Sequence, residues 1–211
     1  MAIKAEYVKE LRERTGAGIM DCKKALIESG GDKEKAVAYL REKGLAKMVE
    51  RARRVAAEGV IESYIHHGSK IGVLVEVNCE TDFVARTGDF QTFSKEIALQ
   101  IAASKPLFVS REDIPESVLA KEREILKTQA LNEGKPEEIA EKIVEGRIRK
   151  FYGEICLLEQ PYIRDPERTV QDLLMEVSAR TGEKIEISRF TRYEIGKESL
   201  DESNKEECAI S

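Results

Sequence analysis

Between Ala57 and Asn78 the apolar residues recur at every second position, whereas on both sides of that stretch they recur at every third or fourth. Val60, Glu62, Tyr64 and His66 alternate with Ile61, Ser63 and Ile65. After His67-Gly68-Ser69-Lys70, Val73, Val75 and Val77 alternate with Leu74, Glu76 and Asn78. Two alternating runs joined by a short glycine-containing turn predict a β-hairpin with one buried face. A chain with helical periods before and after one hairpin must cover that hairpin with its helices. The expected class is therefore α+β, a helical N-terminal module followed by a small antiparallel sheet packed with helices.

Helical stripes flank the hairpin on both sides. Val8 and Leu11 form a first stripe, broken at Thr15-Gly16-Ala17-Gly18. Ile19, Cys22, Ala25 and Leu26 form a second, broken at Gly30-Gly31. Asp32 is a candidate N-cap for a third helix carrying Ala36, Val37 and Leu40, which the pattern ends at Gly44 ahead of a trailing basic helix. Beyond the hairpin, Phe90, Phe93, Ile97 and Ile101 mark a long helix. Pro115 opens another, and Pro136 with Glu137 and Glu138 suggests the first turn of the next, striped by Val144, Ile148, Phe151, Ile155 and Leu158. Thr169-x-x-Asp172 is a capping signature ahead of Val170, Leu173, Leu174 and Val177, with Gly182 as the C-terminal stop. Lys184 to Glu194 reads as a last strand. The expected organisation is a helical module over 1–54, an α+β core over 55–196 and a solvated, disordered acidic tail over 197–211.

Much chemistry is excluded. No run of about 18 apolar residues spans a membrane. The charged start at Lys4 and Glu6 lacks a leader's apolar stretch, so the cytoplasm is the expected compartment. Cys22, Cys79, Cys156 and Cys208 form no CxxC pair. A pI of 5.4 argues against a dedicated nucleic-acid binder, which is basic above about 9. There is no GxxxxGK[ST] loop and no GxSxG elbow. His66 and His67 are the only histidines, and strand neighbours point to opposite faces, so they do not grip one metal. The 40 acidic residues offer no singled-out catalytic pair. No cofactor, metal, nucleic acid or membrane is expected, and a protein partner is. The stripe Lys43, Lys47, Arg51 and Arg54 reads as a solvated helix face, with RNA contact as the alternative.

One segment stands out. Val77 to Arg86 follows a strand and precedes a helix, and Phe83 lies in it where the alternation has ended. Phe83 either plugs the core or stands exposed as an anchor for a partner's groove. Leu11 to Leu26, Glu76 to Arg86 with Thr81-Asp82-Phe83-Val84, and Cys156 to Pro161 together resemble the bacterial elongation factor Ts family, over nearly the whole chain to about Lys197. The resemblance implies a guanine nucleotide exchange factor for elongation factor Tu, not an enzyme with a covalent reaction of its own. It implies that Thr81, Asp82, Phe83 and Val84 dislodge Mg²⁺ from that partner, with Phe83 wedged between two of its helices. It implies a ubiquitin-associated-like N-terminal module touching the same GTP-binding domain. Longer members carry a duplicated core, and this chain has room for one half, so a homodimer is expected.

Overall fold

The computed structural model describes residues 3–15 and 17–197, without the side chains of 45–50 and 52. The expected tail with Cys208, from residue 198 onward, lies outside the described residues, as does the side chain of Lys47.

Helices α1 (Ala5–Thr15), α2 (Ile19–Glu28) and α3 (Lys33–Ala52) form the N-terminal module. Leu11, Cys22, Ala25, Leu26 and Ala36 are its buried core, with Tyr7, Val37 and Leu40 half-buried around them. Gly30 and Gly31, at φ 62° and 87°, make the turn between α2 and α3. Asp32 caps α3 as expected, accepting from Lys35 N at 3.1 Å. The expected stop at Gly44 is wrong: α3 runs through it to Ala52. An interior glycine costs a helix only about 1 kcal/mol, and the residues after it are mostly good helix formers.

The hairpin is β1 (Glu58–Ile65) and β2 (Ile71–Cys79), and the last strand is β5 (Glu186–Glu194); they form a three-stranded sheet in the order β1-β2-β5. Val73, Val75, Val77 and Cys79 are buried, so the hairpin's inner face is the one the alternation assigns. At Gly59, φ 154°, a Cβ would stand 2.2 Å from the Val77 carbonyl oxygen, so only glycine allows this approach of β1 to β2. Between the hairpin and β5 come α4 (Asp82–Ala85), α5 (Gly88–Ser104), α6 (Glu116–Asn132), α7 (Glu137–Ile155) and α8 (Val170–Thr181). A two-stranded antiparallel ribbon, β3 (Pro161–Tyr162) with β4 (Asp165–Thr169), precedes α8 and is not among the elements expected from the sequence. β3 has only two residues and β4, Asp165-Pro166-Glu167-Arg168-Thr169, carries no apolar alternation, so neither shows a period. Pro115 and Pro136 stand just ahead of α6 and α7.

The chain divides into two compact units. One is Met1–Val60, Val77–Ser94 and Asp172–Ile187; the other is Ile61–Glu76, Lys95–Gln171 and Ser188–Ser211. In the second, Leu107, Phe108, Ile114, Val118, Phe151, Ile155 and Cys156 form one core cluster, and Leu126, Val144 and Ile148 another. Buried Gln160 ties this unit together. Its amide donates to the carbonyls of Glu154 (2.9 Å) and Ser104 (3.2 Å), and its oxygen accepts from Gln100. Gln100 in turn accepts from Ile163 N at 2.9 Å. Such a network must be complete, because an unpaired amide in a buried site costs about 1–3 kcal/mol.

Candidate functional site

The site lies in the first unit, where β2 ends. Four residues are too few to hold a helix by their own ladder, so α4 depends on its ends and on burial. Thr81 is its N-cap: the hydroxyl accepts from Val84 N at 3.4 Å. Thr87 closes the other end, donating to the Val84 carbonyl at 2.8 Å. Val84 and Ala85 are buried, whereas Phe83 is 77% exposed. Asp82 is exposed as well and pairs with Arg86 at 3.0 Å. Three of the four expected site residues thus reach the surface, and Val84 is the foot that fixes the turn to the core. The core-plug reading of Phe83 does not hold in this chain. The helix turns Val84 inward, and that leaves the preceding ring outside.

The cap is itself held from α8's far end. The Glu183 carboxylate accepts from Glu80 N and Thr81 N, both at 3.0 Å, and from the Thr81 hydroxyl at 2.7 Å. In return, Glu80 accepts from Lys184 N at 2.6 Å and from Arg54 at 3.3 Å. The Lys184 N–H, and after it Arg54, hold the Glu80 carboxyl below its ordinary range. Ser178 donates to the Glu183 carbonyl at 2.6 Å, and Arg51 donates to the Ser178 carbonyl at 2.7 Å. Two members of the basic stripe, Arg51 and Arg54, are therefore struts within this unit. Sequence reasoning missed Glu183 and Glu80, and their distance along the chain from each other's backbone partners leaves no local pattern to find them by.

The remaining candidates do not assemble. Among the described residues no group of three or more His, Cys, Asp or Glu side chains is placed to hold a metal. The Tyr64 hydroxyl and His66 Nδ1 are 3.0 Å apart at the hairpin's end. No described helix is long and apolar enough to cross a membrane. On the module, Ile19, Met20 and Ile27 are exposed at 53%, 71% and 55%.

A profile of the family described as Elongation factor TS matches residues 6–197. Elongation factor Ts of Thermoanaerobacter sp. (strain X514) is 64% identical over 204 residues, covering 97% of this chain and all of that protein. The same-named protein of Desulforamulus reducens is 64% identical over 194 residues, covering 92% and 89%. The chain belongs to the elongation factor Ts family. The three stretches that carry its resemblance to elongation factor Ts do different physical work here. Leu11 to Leu26 supplies the module's core, together with exposed Ile19 and Met20. Cys156, Leu157 and Gln160 are buried in the second unit's core and network. Only Thr81 to Val84 combines a fixed backbone with an apolar ring in solvent.

Proposed function

We propose that this chain is a guanine nucleotide exchange factor for elongation factor Tu, acting in the cytoplasm and performing no covalent chemistry of its own. It binds the GDP complex, displaces Mg²⁺ and releases GDP so that GTP can bind. The observation that carries this reading is Phe83, an apolar ring 77% exposed on a capped four-residue helix that is seated by buried Val84 and Ala85. An aromatic side chain held rigidly in water gains on entering a partner's groove and loses little conformational entropy in doing so. Thr81 and Asp82 flank it, and Val84 anchors it. Mg²⁺ offsets the charge of the phosphates it bridges, so moving the groups that hold it loosens the nucleotide. Linkage makes the effect mutual: GDP weakens the factor's binding by the same factor that the factor weakens GDP's.

The module, residues 1–54, supplies a second contact to the GTP-binding domain through exposed Ile19 and Met20. The chain acts as a homodimer. Ile61, Ile65, Leu74 and Tyr193, all in the second unit, are exposed on the three-stranded sheet, and exposed Ile195 follows directly after β5. Ile65 lies 3.1 Å from the space above Gly72, which places it on the Leu74 side. An apolar sheet face of this extent suits a self-complementary two-fold contact. The deciding experiment is release of labelled GDP from elongation factor Tu with and without the chain. Release no faster with the chain than without it refutes the reading.

A further inference from the structure

Phe83 can act as an anchor only if its turn is already in place before the partner arrives, and α4 has no length with which to hold itself. Three donors from the turn, Glu80 N, Thr81 N and the Thr81 hydroxyl, end on one carboxylate, that of Glu183. The Thr81 hydroxyl is thereby oriented: donating to Glu183 leaves its lone pairs free to accept from Val84 N. The carboxylate is carried on a loop fixed in its own right. Gly182, φ 79°, ends α8, Ser178 donates to the Glu183 carbonyl and Lys184 N donates back to Glu80. Glu183 is half-buried and is no part of the hydrophobic core.

We propose that Glu183 is a positioning residue for exchange: it holds the cap of the Phe83 turn in the binding-ready setting without touching the partner's nucleotide. The inference rests on the exchange reading and deepens it. Without the carboxylate, two backbone N–H groups and a hydroxyl lose their shared acceptor, the cap loosens, and Phe83 samples settings in which it does not fit the groove. Apparent affinity falls by the fraction of time the turn is correctly set.

The test is a double-mutant cycle read by GDP release from elongation factor Tu, with Glu183→Ala, Phe83→Ala and the double variant. Hydrogen exchange is followed at the Thr81 and Val84 amides of each. The expected result is that Glu183→Ala speeds exchange at both amides, shifts Tm by no more than about 4 °C, and slows GDP release about tenfold. In the Phe83→Ala background the same change costs less than about twofold, because there is no ring left to position. A residue that merely stabilised the fold would add its full effect in both backgrounds. Glu183→Gln, which keeps the shape and one acceptor oxygen, restores part of the rate and replaces the alanine variant should that one unfold. Tenfold loss in both backgrounds, or unchanged release and amide exchange in Glu183→Ala while Phe83→Ala is slow, overturns the assignment. Normal release by Phe83→Ala alone overturns Phe83 as the anchor, and this inference with it, whereas release no faster with the unaltered chain than without it overturns the exchange reading.

Discussion

Replacing Phe83 by alanine separates a surface anchor from a core residue. Full burial of a phenylalanine is worth about 1.5–3 kcal/mol. Phe83 is 77% exposed, so a partner that covers the ring gains about three-quarters of that, about 1.2–2.3 kcal/mol. At about 1.4 kcal/mol per factor of ten, Phe83→Ala weakens the productive complex by about 8- to 50-fold. The rate of GDP release from elongation factor Tu at limiting concentrations of the chain falls in that proportion. The fold hardly notices, since an exposed substitution changes stability by about 0.5 kcal/mol or less, and alanine is the better helix former. The neighbouring Val84→Ala behaves differently. Its side chain is buried and is the foot of the turn, so the truncation lowers stability by about 1–3 kcal/mol, and it slows release both through loss of folded protein and by loosening the setting of Phe83. Thermal unfolding and GDP release measured on both variants decide the matter. If Phe83→Ala loses more than about 1 kcal/mol of stability, or releases GDP at the normal rate, the reasoning fails. The same arithmetic shows that one ring does not account for exchange alone, which is why a second contact on the helical module belongs to the proposal.

Further outcomes are expected elsewhere. Gly59→Ala places a methyl group 2.2 Å from the Val77 carbonyl at a φ that side chains avoid, so it destabilises by about 1–3 kcal/mol or more, measured by urea unfolding. The Glu80 carboxyl is held below its ordinary value of 4.5 in the folded chain, by the Lys184 N–H first and Arg54 next; its contribution is fully present above that value and is lost as the pH falls below it. Glu80→Gln accordingly flattens that acidic segment of the Tm-against-pH curve, and an unchanged segment would show that the pairing contributes nothing. Ile61→Lys together with Ile65→Lys puts charge on the exposed sheet face and yields a monomer in analytical ultracentrifugation, whereas a surviving dimer would place the interface elsewhere.

The helical stripes, the hairpin and the α+β class are legible in the sequence because each is a local regularity. A buried face repeats every 3.6 or 2 residues, and glycines, prolines and caps punctuate the repeats. The stretch Leu11–Leu26 and the alternation Val73–Val77 therefore appear in the structure where the pattern places them. Gly44 shows the limit of punctuation: a glycine ends one helix and is passed over in another, and the helix-forming strength of the next residues decides between the two. The ribbon Pro161–Thr169 escaped because its two-residue strand has no period. Gln160 escaped as a structural residue because its partners are carbonyls fixed by α5 and α7. The site is the sharpest case. The residues Thr81-Asp82-Phe83-Val84 could be read off, yet whether Phe83 faces water or the core could not. Four residues contain barely one turn, and either face of it is an acceptable place for an aromatic. That choice was made by Val84 turning inward and by Glu183, a carboxylate 102 residues further along the chain that reaches back to the Thr81 amide and hydroxyl. Hydrogen bonds between such distant residues leave no local trace in the sequence, so the setting of the exposed ring is decided only by the tertiary structure.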